Sequence, residues 1–91
     1  MIRGFRSKAL EQLFLGNPKR IEASLRRKVE NILFTLASAT EIQAMNLPSY
    51  RLHELKGAQA GIWSVTVSQN WRITFRFEDG NAYDVDFVDY H

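Results

Sequence analysis

Two histidines and their neighbours in the C-terminal half of the chain are the side chains that could carry out chemistry. Lys56 lies three positions after His53, and the second histidine, His91, comes directly after Asp89 and Tyr90. Histidine can act as an acid or a base near neutral pH without a shifted pKa. His53 could equally pack or bond to the backbone, and a histidine in a terminal segment is normally solvated. These residues are therefore candidates for acid–base chemistry and do not by themselves establish a site.

Arg72 is the candidate for binding an anion. It lies between Trp71 and Ile73 in a segment where apolar and polar residues alternate, which puts its side chain on the polar face of a strand. An arginine on such a face, away from carboxylates, is typical of a phosphate-binding residue. Exposed strands also carry charged residues that have no function, so both interpretations stay open. For Arg76 we expect an ordinary cross-strand ion pair with Asp84.

Several kinds of site are excluded by missing residue types or by spacing. The sequence has no cysteine, which excludes disulfides, thiolate metal ligands and cysteine nucleophiles. The two histidines show no metal-binding spacing, and no glycine-rich phosphate loop, serine nucleophile elbow or helix-turn-helix signature occurs. We therefore expect no metal and no cofactor.

The composition indicates one globular domain over residues 1–91. Of the 91 residues, 45% are hydrophobic and 12% are aromatic, and the net charge is +2. Residues 1–28 contain eight basic and two acidic residues, whereas residues 73–91 contain one basic and five acidic residues. This polarity suggests an anionic partner for one surface, although a solvated helix face explains it equally well. No apolar run is long enough to span a bilayer and no signal-peptide core is visible, so we expect a cytoplasmic protein with no membrane contact.

Helices are predicted in the first half of the chain. Ser7 is a plausible N-cap for a first helix that ends before Gly16. Asn17-Pro18 predicts the start of a long second helix. The apolar stripe of that helix consists of Ile21, Leu25, Val29, Ile32, Leu33 and Leu36. A capping box over residues 38–41 predicts a short third helix that ends before Pro48, and residues 1–5 could form a short first strand.

Antiparallel strands are predicted in the second half, where apolar and polar residues alternate. Two breaks, at residues 68–70 and 79–81, suit three-residue hairpin loops. The resulting register pairs Val67 with Trp71, and Phe77 with Tyr83. All the large apolar residues then lie on one face, which the helices must cover. This arrangement is an α+β fold, with helices packed on a mainly antiparallel sheet.

The other face of the sheet is predicted to be open. Its side chains are Ser64, Thr66, Arg72, Thr74 and Arg76. The register also places Thr74 across from Asp86. Continuing the alternation puts Tyr90 on the face of Arg72, and Asp89 and His91 on the opposite face.

Three segments, taken together, resemble one family of bacterial toxins. They are Leu52-His53-Glu54-Leu55-Lys56-Gly57, Asn70-Trp71-Arg72-Ile73 and the terminal Asp89-Tyr90-His91. In this order they are similar to the HigB toxins of the RelE/ParE superfamily of toxin–antitoxin modules. The resemblance covers nearly the whole chain, and the combination of segments is specific although each segment alone is weak.

The resemblance implies a fold and an activity. The fold is RelE-like and similar to microbial ribonucleases, with a concave face of the sheet available to RNA. The implied activity is that of a ribosome-dependent endoribonuclease, which cleaves translated mRNA in the A site without a metal and inhibits growth. The implied partners are the ribosome, its mRNA and a HigA-type helix-turn-helix antitoxin, through which alone the toxin would meet operator DNA.

Metal-free RNA cleavage needs a base for the ribose 2′-hydroxyl, a cation for the phosphorane and an acid for the 5′-oxygen. By resemblance, Arg72 holds the scissile phosphate and Lys56 adds positive charge beside it. His53 and His91 are the acid and the base, in an order that stays open. Tyr90 stacks on a base or supports proton transfer, and Asp89 orients a histidine or helps to bind RNA. The candidate RNA-binding cations are Arg51, Lys56, Arg72 and Arg76.

Two other functions stay open. One is a ParE-like inhibitor of DNA gyrase; His53 and the terminal segment 89–91 argue against it, because ParE proteins generally lack a ribonuclease constellation. The other is a non-catalytic nucleic-acid-binding or corepressor module. Its working surface would consist of Arg20, Arg26, Arg27 and Lys28. A solvated helix face or an antitoxin-docking surface is the simpler explanation of that basic run.

Overall fold

The computed structural model describes residues 1–90 and confirms the α+β fold. Two α-helices precede a four-stranded antiparallel sheet. The helices are α1 (Lys8–Phe14) and α2 (Arg26–Ser38). In both chain and spatial order, the strands are β1 (His53–Glu54), β2 (Ile62–Thr66), β3 (Trp71–Glu78) and β4 (Asn81–Asp89).

The core lies between the helices and one face of the sheet. The buried part of the predicted helical stripe in α2 is Val29, Ile32, Leu33 and Leu36, and the sheet contributes Val65, Ile73, Phe75 and Val85. Burying a side chain of this size stabilises the fold by roughly 1.5–3 kcal/mol. The contact between the two layers therefore matters more to the helices than their intrinsic propensity. Across residues 1–90, no helix combines the length and the apolar character that crossing a bilayer requires.

The first helix begins as predicted, but the second begins later. Ser7 caps α1, because its Oγ accepts a hydrogen bond from the amide of Leu10 at 3.2 Å. The prediction that α2 starts at Asn17-Pro18 is wrong. Ile21 is buried by a turn instead, and its carbonyl accepts a hydrogen bond from Arg26 Nε at 2.8 Å. Apolar periodicity indicates which residues are buried, not which are helical. Here the apolar pattern includes Ile21, which is buried although it lies in a turn.

The predicted third helix and first strand are also shorter than expected. Ser38 is the last residue of α2, so the capping box does not form, and residues 42–45 make only a 3₁₀ turn. Further 3₁₀ turns are Pro48–Tyr50 and Gly57–Gln59. In the N-terminal segment, Ile2 and Phe5 each make one isolated parallel bridge to β4.

The two hairpins differ in how well the sequence predicted them. In the first, Val67 faces Trp71 as predicted, with an amide-to-carbonyl hydrogen bond of 2.9 Å. In the second, the predicted pairing of Phe77 with Tyr83 is wrong, because Phe77 pairs with Ala82. The turn contains two residues, Asp79 and Gly80, with φ of 51° and 76°. Positive φ at both central positions is the type I′ geometry that Asp-Gly favours.

A β-bulge restores the predicted register further along this hairpin. It lies opposite the shift between Thr74 and Arg76, where Asp84 adopts a φ of 54°. Beyond the bulge Thr74 pairs with Asp86, as predicted. Before the bulge Tyr83 pairs with Arg76, so this tyrosine lies on the open face. The prediction that all large apolar side chains face the helices is therefore wrong for Tyr83.

Candidate active site

The open face of the sheet brings together side chains from all four strands. Directly opposed residues share a face, and one such row is His53, Ser64, Thr74 and Asp86. The next row is Thr66, Arg72 and Val88. Two strand spacings of about 4.8 Å and a two-residue offset separate His53 from Arg72 by about 10 Å across the sheet and 7 Å along it.

Arg72 is held on one edge by the β2–β3 turn. Its Nη1 donates hydrogen bonds to the carbonyl oxygens of Ser68 at 2.7 Å, Trp71 at 3.1 Å and Gln69 at 3.3 Å. Its guanidinium carbon lies 5.0 Å from the ring centroid of Tyr90, a cation–π contact. The predicted placement of Tyr90 on the Arg72 face is therefore confirmed. Within residues 1–90 these bonds all use Nη1, so Nε and Nη2 keep donors for a bidentate acceptor such as a phosphate.

His53 is oriented by the backbone of Arg51. The Nδ1 atom of His53 lies 3.2 Å from the carbonyl oxygen of Arg51. A carbonyl can only accept, so Nδ1 carries the proton and Nε2 of the neutral ring is an acceptor. Arg51 follows the Pro48–Tyr50 turn in the left-handed conformation, with φ of 48°. That conformation, uncommon for a residue with a side chain, directs the carbonyl to the imidazole.

A cleft of about 160 Å³ lies on the open face beside these residues. Its walls are formed by Arg6, Leu55, Gln59, Ile62, Ser64, Thr74, Asp86, Val88 and Tyr90. Sequence reasoning did not propose Arg6, Ser64 or Asp86 as site residues. The alternation and register did place Ser64 and Asp86 on this face. No pattern near Arg6 in the sequence predicted its place at the cleft, because that place depends on a hydrogen bond from its amide to the carbonyl of Val85.

A larger groove of about 530 Å³ is lined in part by Arg72, whose guanidinium contacts the ring of Tyr90 at the wall of the cleft. It lies between the Pro48–Tyr50 turn and the β2–β3 turn. Its lining consists of Lys28, Pro48, Ser49, Arg51, Thr66, Val67, Ser68, Gln69 and Arg72. The groove thus brings together two of the predicted RNA-binding cations, Arg51 and Arg72. Lys56 is exposed directly after β1, at the start of the Gly57–Gln59 turn.

Arg76 lies on the same face but is already matched by carboxylates. Its Nε is 3.1 Å from Asp84 and its Nη1 is 2.6 Å from Glu78. The predicted cross-strand partnership with Asp84 is present, although the bulge shifts Asp84 out of direct opposition. The hydrogen bond that Arg76 donates to Asp84 is the main cause that raises the pKa of Arg76; desolvation lowers this pKa, and Glu78 raises it further. The guanidinium also lies 4.9 Å from the ring centroid of Tyr83.

The C-terminal residues divide between the two faces. Asp89 pairs with Trp71 across β3 and β4, so it lies on the face opposite Arg72, as the alternation predicted. His91, the second candidate histidine, lies outside the described residues. Among residues 1–90, no group of three or more His, Asp or Glu side chains is placed to hold a metal ion.

Comparison with known sequences identifies the family. A family model described as the RelE-like toxin of the type II toxin–antitoxin system HigB matches residues 3–91. The chain is also 42% identical over 92 residues to the Endoribonuclease HigB of Proteus vulgaris, and the match covers 100% of both chains.

Solved structures with much lower sequence identity share the fold. YafQ from E. coli strain BL21(DE3) superposes with a TM-score of 0.66 at 18% identity, covering 98% of this chain and 91% of YafQ. The YoeB–YefM complex from Staphylococcus aureus gives a TM-score of 0.66 at 15% identity, covering 100% of this chain and 95% of the matched chain. Together with the full-length sequence match, these findings show that the chain belongs to the HigB family of RelE-like toxins from type II toxin–antitoxin systems.

Proposed function

We propose that this toxin is a ribosome-dependent endoribonuclease that cleaves translated mRNA in the A site, without a metal. The observation that carries the proposal is the open face, where a guanidinium with free donors and a histidine with an acceptor nitrogen lie in neighbouring rows of the same sheet. The endoribonuclease named among its relatives supports the same reaction. A ribosomal target places the site of action in the cytoplasm.

The proposed reaction is an attack of the ribose 2′-oxygen on the adjacent phosphate. His53 Nε2 removes the hydroxyl proton, because the Arg51 carbonyl keeps Nδ1 protonated and leaves Nε2 as the acceptor. The new bond from the 2′-oxygen to phosphorus forms as the bond to the 5′-oxygen breaks. An acid must protonate that oxygen, and His91 is the candidate for this role from the sequence.

Arg72 binds the phosphate in this scheme. Negative charge grows on the non-bridging oxygens as the phosphorane forms, and Nε and Nη2 of Arg72 match it bidentately. The turn carbonyls hold the guanidinium in place before the substrate arrives, so little ordering is left for the reaction step. Tyr90 fixes the other side of the guanidinium by stacking. Lys56 adds positive charge from the segment after β1.

The remaining site residues are assigned to RNA binding or orientation. Arg51 is proposed to bind RNA from the groove next to Arg72. Arg76 is proposed to contribute little to RNA binding, because two carboxylates already neutralise it. Asp89 is proposed to orient a histidine or to help bind RNA.

The proposed protein partner is a HigA-type antitoxin with a helix-turn-helix domain. Membership of a toxin–antitoxin family supports a cognate antitoxin, and a RelE-like neighbour was solved as a toxin–antitoxin complex. Operator DNA would be bound by the antitoxin alone.

The test is to induce this chain in bacteria and map new mRNA 5′ ends within minutes, beside an Arg72→Ala control at equal expression. We expect cuts in translated reading frames that disappear when translation is blocked and in the variant. Growth arrest with intact mRNA would instead indicate a gyrase-type target. No arrest and no cuts would leave a non-catalytic nucleic-acid-binding module.

A further inference from the structure

The groove beside the cleft is lined by three cations and no carboxylate. The cations are Lys28, Arg51 and Arg72, and the other lining residues are uncharged. At about 530 Å³ the groove is larger than the cleft, at about 160 Å³. A concave surface with one sign of charge concentrates ions of the opposite sign, so this groove fits an extended anion.

Lys28 lies at the groove although its position in the first turn of α2 is electrostatically unfavourable for a cation. The first turn of α2 contains Arg26, Arg27 and Lys28 and no acidic residue. The N-terminal end of a helix carries partial positive charge, so cations are unfavourable there. Arg26 is accounted for by its bond to the Ile21 carbonyl. Lys28 Nζ instead donates to the carbonyl of Ser49 at 3.3 Å, which fixes the ammonium at the groove wall.

The groove is continuous with the proposed cleavage site. Arg72 lines the groove, and it also stacks on Tyr90, which lines the cleft. Thr66, directly opposite Arg72 in the sheet, lies on the groove side as well. An RNA strand whose scissile phosphate is bound by Arg72 can therefore continue into the groove and reach Lys28 on the same side of the sheet.

We propose that this groove binds backbone phosphates of single-stranded RNA on one side of the cleavage point, and that Lys28 is a substrate-binding residue. The inference rests on the proposed function for the identity of the RNA. Contacts to phosphates carry no sequence information. The groove therefore contributes affinity to every message equally and leaves codon preference to the cleft.

The experiment measures binding of the whole chain to fully 2′-O-methylated RNA, which has no free 2′-hydroxyl to attack. A fluorescent nonanucleotide is titrated at several salt concentrations, and a trinucleotide competes with it. Lys28→Gln is compared with Lys28→Arg and with Lys19→Gln, which removes an exposed lysine that lines neither cavity.

We expect Lys28→Gln to weaken nonanucleotide binding about tenfold at low salt, and to reduce the slope of log affinity against log salt by about 0.7, the value for one lost phosphate contact on single strands. Trinucleotide binding should not change. Lys28→Arg should restore both quantities, and Lys19→Gln should leave both unchanged.

Three results would overturn the inference. Equal losses for the two lengths, or an unchanged salt slope, would mean that Lys28 touches no flanking phosphate. An equal loss of affinity for ribosomes with and without mRNA would mean that the groove binds ribosomal RNA instead. The oligonucleotide assay involves no cleavage, so failure of the proposed nuclease activity would be seen separately, in the mapping of mRNA ends.

Discussion

Two arginines of β3, Arg72 and Arg76, lie on the same face of the sheet but differ in the groups that bind them. Arg76 lies near the β3–β4 turn and is bound by Asp84 and Glu78. Arg72, four residues earlier on β3, is bound by carbonyl oxygens of the β2–β3 turn, and among residues 1–90 no carboxylate forms an ion pair with it. Both guanidiniums lie over a tyrosine ring, at 5.0 Å for Arg72 and 4.9 Å for Arg76.

This difference in binding partners makes Arg76 a structural cation and leaves Arg72 available to a ligand. A carboxylate neutralises a guanidinium, whereas a carbonyl orients it and leaves its full charge in place. The positions of the acidic residues determine which arginine is neutralised and which keeps its full charge. Glu78 at the end of β3 and Asp84 at the β4 bulge lie beside Arg76, whereas the β2–β3 turn, residues 68–70, has no ionisable side chain. The two ends of the sheet are therefore expected to respond very differently to substitution.

The largest effect is expected from Arg72→Ala. Removing the cation that is proposed to meet the developing phosphorane charge should lower cleavage by about 10²–10³-fold. The unfolding free energy should change by less than about 0.5 kcal/mol, because this is a partly exposed strand position. Growth arrest and mRNA cleavage report the first quantity, and urea denaturation reports the second. Full toxicity at equal expression would remove Arg72 from the mechanism.

The next largest effect is expected from His53→Gln, which keeps a polar side chain but loses the base. Cleavage should fall about 10²-fold. In the parent protein, nitrogen chemical shifts of the neutral His53 ring should show the proton on Nδ1. The opposite tautomer, with Nε2 protonated, would contradict the assignment of His53 as the base even if the variant is inactive.

Trp71→Ala should destabilise the end of the sheet that holds Arg72. The Trp71 indole stacks on Phe87, with ring centroids 4.3 Å apart, and packs on the core. Because the ring is only partly buried, we expect a loss of about 2–4 kcal/mol in the unfolding free energy. Urea denaturation measures it. A stable but inactive variant would move Trp71 from the core into the site.

Gly80→Ala should destabilise the other end more modestly. Gly80 has φ of 76°, and an added Cβ would lie 3.1 Å from the carbonyl oxygen of Thr40. The left-handed conformation alone costs a non-glycine residue about 1–2 kcal/mol. We expect a loss of that size with cleavage by the folded protein unchanged. A loss of activity at full stability would show that this turn takes part in function.

The smallest effect is expected from Arg76→Gln. This change breaks two exposed ion pairs, which contribute little in water. Cleavage should stay within about tenfold of the parent, a barrier change below about 1.4 kcal/mol. If Arg76→Gln were as damaging as Arg72→Ala in the same assay, the contrast between the two arginines would be wrong.

The sequence predicted those parts of the fold that depend on neighbours along the chain. The Ser7 cap, the first hairpin and the open face around Arg72 each follow from a local pattern. Tyr90 was placed correctly because alternation continues to the end of β4. The Asp79-Gly80 turn also has a local signal, but the predicted three-residue loop is one residue too long, and the two-residue turn places Tyr83 on the open face instead.

Other features depend on packing that the local pattern does not contain. The bulge at Asp84 returns Val85 to the core, and nothing in the adjacent residues specifies where the extra residue must lie. Ile21 continued the helical period although it lies in a turn. Within the candidate site, contacts between segments far apart in sequence place Lys28 at the groove and Arg6 at the cleft. The sequence predicted which side chains share the open face around Arg72, but it did not predict the groove beside them.

The first six residues of the sequence lie along β4, about eighty residues further along the chain, and contacts between segments so far apart in sequence form slowly in folding. Backbone bonds join the amide of Arg3 to the carbonyl of Ala82 at 2.7 Å and the amide of Arg6 to that of Val85 at 2.8 Å. The strand that closes this ladder also carries Tyr90 to Arg72. Opening of β4 would therefore remove both the ladder and the stacked arginine. The N-terminal segment and the Arg72 side of the open face thus depend on one strand, which couples folding at this edge of the sheet to the geometry of the candidate site.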